Sequence, residues 1–83
     1  MKVLIVEDNP VNAEMIRHTL EKEGYEIVLA GDGESALAKL DEDSDVDLVI
    51  TDVMMPNIDG LEMLGRMRKR PELKTLPVVM ATK

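Results

Sequence analysis

Residues 3–8, Val3-Leu4-Ile5-Val6-Glu7-Asp8, form a short apolar run rich in β-branched residues that stops at two adjacent carboxylates. A continuous run of this kind fits a strand buried on both faces, as in a parallel sheet. The pattern recurs at Asp47-Leu48-Val49-Ile50-Thr51-Asp52, again closing on a carboxylate. Two interior strands that end in acid restrict the fold sharply, because their carboxyl ends must reach a polar edge.

The segments between these strands carry helical spacing. Asn9-Pro10 reads as an N-cap followed by proline at the first helical position. Met15, Ile16, Thr19 and Leu20 then share one helix face, with Glu14, Arg17, His18 and Glu21 on the other. Gly24 is the expected stop. Tyr25–Ala30 reads as a second strand, Gly31-Asp32-Gly33 as a turn, and Ala36, Leu37 and Leu40 mark a second helix. Asp41 to Asp45 reads as a polar loop. After the third strand, Pro56-Asn57 and Asp59-Gly60 punctuate a loop. Leu61, Leu64 and Met67 supply the expected buried stripe of a third helix, and Arg66, Arg68, Lys69 and Arg70 cluster at its end, where cations suit the helix dipole. Val78–Thr82 reads as a fourth strand. Strands alternating with helices imply βαβ units and a parallel sheet, an α/β fold whose ligands bind at the carboxyl ends of the strands.

Composition narrows the function. With 83 residues the chain is one domain at most, spanning 1–83, and a domain of this length buries only about 60–65% of its unfolded surface. Tyr25 is the single aromatic residue, so the core is aliphatic, and most of the seven methionines read as gap fillers, with Met54-Met55 assigned to the site loop. A net charge of −7 argues against nucleic acid or an anionic membrane as a direct partner. The absence of cysteine excludes disulfides and thiolate metal sites. Only four apolar residues separate Lys2 from Glu7, and no stretch is long enough to span a bilayer, so a cytoplasmic location is expected.

A lone acid at a strand–loop junction is commonplace. Two such ends, with Pro- and Gly-shaped loops around them, point to a site. If the first and third strands are neighbours, Glu7, Asp8 and Asp52 converge on one edge of the sheet. Two carboxylates ~4 Å apart repel by about 4 kcal/mol at an effective dielectric of ~20, so a counter-charge is needed. Hard oxygen ligands with room for water suit Mg²⁺ better than Zn²⁺ or a Ca²⁺ cage. The acidic run from Asp41 to Asp47 lacks the glycine and distal glutamate of an EF-hand loop and reads as solvated. His18 reads as a surface residue.

"VLIVEDN", "GDGESAL" and "DLVITDVMMPNIDGLEML" resemble the receiver domain of two-component response regulators. The resemblance runs from Lys2 to Thr82, and its specific part is D-x-x-M-P-x-x-D-G at Asp52 to Gly60. It implies a flavodoxin-like sheet of order 2-1-3-4 with three helices. Asp52 matches the phosphoacceptor, and Glu7, Asp8, Asp52 and the backbone carbonyl of Met54 match the Mg²⁺ ligands. Thr82 matches the hydroxyl that hydrogen-bonds the phosphoryl group and reports its arrival. The implied partner is a histidine kinase or phosphotransfer protein, and the implied role is signalling rather than turnover. A phosphatase of the haloacid dehalogenase type would need a second aspartate where Met54 stands.

The same resemblance implies a fourth helix, a fifth strand and a fifth helix beyond this chain, together with a site lysine at the end of the fifth strand. Lys83 directly follows Thr82 and is not at that position. A second reading is therefore a truncated or engineered receiver fragment that keeps the acidic metal pocket without phosphotransfer or switching. With strand four at an edge, self-association as a homodimer or chain-exchanged oligomer is expected.

Overall fold

The computed structural model describes residues 1–43, 45–52 and 60–81; for Asp52, Gly60 and Ala81 it describes the backbone. Among the described residues the chain order is β1 (Lys2–Val6), α1 (Pro10–Lys22), β2 (Glu26–Ala30), α2 (Gly33–Glu42), β3 (Leu48–Asp52), α3 (Gly60–Arg68), a 3₁₀ turn (Pro71–Leu73) and β4 (Val78–Ala81). The four strands form one parallel sheet in the order β2-β1-β3-β4, as expected. β1 is central. Val6 stands level with Ala30 on one side and with Thr51 on the other.

Local chemistry sets the element ends. The Asn9 side chain accepts hydrogen bonds from Val11 N–H (2.9 Å) and Asn12 N–H (3.2 Å), and Pro10 opens α1 without needing a donor of its own. Gly24 turns the chain out of α1 at φ +92°, a conformation that disfavours any residue with a Cβ. The expected turn at Gly31–Gly33 is instead an N-cap. Asp32 accepts from Ser35 N–H at 2.7 Å, and Gly33 is already helical. The expected polar loop begins later than Asp41, since Asp41 and Glu42 complete α2.

The larger core lies on one face of the sheet. Leu4, Val6, Ala30 and Val49 meet Ala36, Leu37 and Leu40 of α2 and Met63 and Met67 of α3. The expected α3 stripe needs correction: Leu61 is exposed, Leu64 is half-buried, and Met63 joins Met67 at 0% exposure. At ~100° per residue Met63 and Met67 share a face, while Leu61 lies about 160° from Met63.

The opposite face carries α1, which packs on β1 and β2. Here too the helix is turned from the expected orientation. Ala13 is buried and Ile16 and Leu20 are half-buried, but Met15 is 63% exposed and Thr19 is exposed. The buried line is therefore Ala13-Ile16-Leu20, rotated by about 60° from the expected one. Small Ala13 lets the helix approach the strands closely. Met15, Ile16, Thr19 and Leu20 instead border an open apolar depression of about 320 Å³ beside Ile50.

At the amino ends of the strands, Lys2 ties three segments together. Its backbone N–H donates to the Asp47 carboxylate (2.8 Å), and its ammonium donates to Asp43 (2.6 Å) and pairs with Glu26 (3.4 Å). The Lys2 hydrogen bond, helped by Asp45 N–H, holds the Asp43 carboxyl below its ordinary pKa.

Two outcomes follow from this packing. Met63→Ala empties a fully buried site and lowers unfolding stability by about 2–5 kcal/mol, read from urea denaturation. A depressed folded pKa contributes stability above the unfolded value and loses it as pH falls through the folded one. The urea midpoints of the native protein and Asp43→Asn therefore converge as pH falls below about 4, the ordinary aspartate range.

Candidate functional site

The parallel register brings the strand ends of the sheet to one edge. The last β1–β3 pair is Val6–Thr51, so the next residues are Glu7 on one strand and Asp52 on its neighbour. Adjacent strands lie about 4.8 Å apart. On the far side of β3, Asp52 pairs with Ala81, whose successor in sequence is Thr82. Backbone pairing thus joins the carboxyl ends of β1, β3 and β4. Met54 and Thr82 themselves lie outside the described residues.

Glu7 is held firmly. Its N–H donates to Ala30 O at 3.0 Å, which extends the β1–β2 ladder by one rung. Its side chain is buried, at 8% exposure, and Oε2 accepts a hydrogen bond from Asn9 N–H at 3.0 Å. Asn9 in turn caps α1. One carboxylate therefore links the end of β1 to the start of α1. Asp8, the next residue, is exposed. The two acids border a depression of about 320 Å³ with Pro10, Ala13, Glu14, Leu29, Ala30 and Gly31.

Among the described residues, the lining of that depression offers oxygen donors and no sulfur or imidazole. Among the described residues, no three His, Cys, Asp or Glu side chains gather into a metal-holding group. The expected trio also needs the Asp52 side chain, which is outside the description. Asn9 and Glu14 were not expected at this edge. Glu14 lies one helical turn beyond Pro10, so helix periodicity alone places it over the same rim. Its carboxylate is engaged by Arg17.

Known proteins of similar sequence and fold identify the family. The model of the response regulator receiver domain matches residues 3–83, and the chain belongs to that family. It is 37% identical over 83 residues to the chemotaxis protein CheY1 of Helicobacter pylori, covering 99% of this chain and 67% of that protein. The structure of the chemotaxis response regulator CheY4 of Vibrio cholerae superposes with a TM-score of 0.90 at 39% identity, covering 95% of this chain and 65% of that one. The response regulator TrrA of Thermotoga maritima, solved in complex with Mg(2+)-BeF, gives 0.89 at 41% identity, covering 98% and 68%. The chain spans about two thirds of the length of these relatives. Receiver domains are modules of two-component signalling. No helix among the described residues is long and apolar enough to cross a membrane.

Asn9→Ala removes the acceptor for two helix N–H groups next to Glu7. Unfolding stability falls by about 1 kcal/mol, read as a lower urea midpoint with unchanged denaturant dependence.

Proposed function

We propose that this receiver accepts a phosphoryl group on the Asp52 carboxylate. The observation that carries the reading is the register: Glu7 and Asp52 follow the Val6–Thr51 pair on adjacent strands, with the Glu7 carboxylate held at the rim. A carboxylate oxygen of Asp52 bonds to phosphorus as the bond to the donor breaks, giving an acyl phosphate. With a phosphohistidine donor the broken bond is P–N, and the departing imidazole nitrogen takes up a proton. The partner is a histidine kinase or phosphotransfer protein, which puts the domain in the cytoplasm.

Glu7, Asp8, Asp52 and the Met54 carbonyl would hold Mg²⁺. The donor chemistry fits: the acids of the rim are hard ligands, and the exposure of Asp8 leaves room for coordinated water. Bound there, Mg²⁺ supplies the positive charge that offsets repulsion between anionic nucleophile and anionic phosphoryl group. The Thr82 hydroxyl, next in sequence to the residue paired with Asp52, donates a hydrogen bond to a phosphoryl oxygen and registers its arrival.

Incubation with Mg²⁺ and acetyl phosphate, followed by intact-mass measurement, tests the reading. The native chain gains one phosphoryl group, and Asp52→Ala gains none. Asp8→Asn slows the gain by at least roughly tenfold, the loss that even an outer-shell change costs a metal site. A gain that persists in Asp52→Ala refutes the assignment.

A further inference from the structure

The basic cluster at the end of α3 divides into two kinds of contact. Arg66 meets Glu34 and Glu62, and Arg70 meets Asp41, all carboxylates on exposed helix surface. Arg68 differs. Its half-buried guanidinium donates from Nη1 to Leu73 O (2.6 Å) and from Nη2 to Leu76 O (2.9 Å). Both acceptors are backbone carbonyls of the segment that leads into β4. Leu76 N–H also donates to Leu73 O at 3.3 Å, so this turn is closed around one planar fork. The next residue, Pro77, supplies the carbonyl that accepts Val49 N–H at 3.0 Å, the first rung between β3 and β4.

This anchoring matters because β4 specifies its own register weakly. Register is ordinarily fixed by alternation, since a one-residue slip moves buried side chains to the wrong face. β4 reads Val78-Val79-Met80-Ala81, apolar at every position, so its own sequence offers no polar–apolar alternation to fix it. A slip there replaces one apolar residue by another at small cost. The connection at its amino end must supply what the side chains do not.

We propose that Arg68 is a positioning residue that sets the register of β4 against β3. By pinning the Leu73 and Leu76 carbonyls it brings Ala81 level with Asp52, and so decides which residue follows at the site edge. A one-residue slip would move the end of β4 by about 3.3 Å along Asp52. Misplacement on the ångström scale costs reacting groups on the order of 100-fold in rate. The effect on phosphoryl acceptance rests on the function proposed above; the register itself does not.

The test compares Arg68→Ala, Arg68→Lys and Arg66→Ala with the native chain. Cross-strand NOEs between Val49 and Val78 and between Thr51 and Met80 report register, amide exchange reports local protection, and acetyl phosphate with Mg²⁺ reports modification at Asp52. Both Arg68 variants lose the β3–β4 NOEs, and amide protection in Val78–Ala81 falls at least about tenfold while β1 and β2 keep theirs. Modification slows by about 10- to 100-fold. Lysine keeps the charge without the fork, so it separates geometry from electrostatics, and Arg66→Ala behaves as the native chain. Intact β3–β4 NOEs in a folded Arg68 variant overturn the proposal, even if modification slows. Protection lost equally across the sheet, or failure of both variants to fold, makes Arg68 a general stability residue and overturns it as well. A native chain that takes up no phosphoryl group sinks the proposed function, while the NOEs and exchange still decide the role of Arg68.

Discussion

The hydrogen bonding of β1 between β2 and β3 is the constraint on which the remaining structure depends. Val3, Leu4, Ile5 and Val6 are all at most 1% exposed, so both faces of this strand are interior and both edges are paired. Such a strand has no freedom to slide, because each of its residues is fixed by a neighbour on either side. The chain must then leave the interior in a single step. It does so at Glu7, whose N–H still belongs to the ladder while its carboxylate already serves the loop. The acidic rim is thus a direct result of where the apolar run ends. Burying those four side chains contributes roughly 1.5–3 kcal/mol each, which offsets the cost of crowding negative charge at the exit.

The two faces of the sheet are covered unequally. α2 and α3 enclose a continuous cluster that reaches from Leu4 to Met67 and Leu73. On the other face α1 lies over β1 and β2, while Ile50 borders the open depression and Val79 is exposed. Stability is therefore concentrated in β1 and in the α2–α3 side. Two exposed ion pairs span this side: Arg66 bridges α3 to Glu34 of α2, and Arg70 reaches Asp41 at the other end of the same helix. These pairs are exposed and contribute orientation more than energy.

Much of this was legible because the governing chemistry is local. An Asn-Pro step caps a helix whatever surrounds it, and a four-residue β-branched run closed by acid has few places to go. The motif from Asp52 to Gly60, with the acidic pair upstream, was sufficient to suggest the family and the strand order. What could not be read was rotation about a helix axis. Leucine outranks methionine in hydropathy, so Leu61 looked like core and Met63 did not, yet the direction from which the sheet and α2 approach decides which residue is enclosed. The same holds for Met15 and Ala13 in α1, where the smaller side chain is the one that meets the strands. Arg68 was hidden for a related reason. Four basic residues in five positions look alike in sequence, and only the fold reveals that one of them reaches backbone carbonyls instead of carboxylates.

The methionine distribution has a chemical consequence. Met1 and Met15 present their thioethers to water at 65% and 63% exposure, whereas Met63 and Met67 are sealed inside the packed layer. Peroxide converts accessible thioethers to sulfoxides first. Met1 and Met15 are therefore oxidised before Met63 and Met67. Sulfoxide at Met63 or Met67 would record that the α3 layer had transiently lifted from the sheet, giving the molecule a built-in chemical trace of its own breathing.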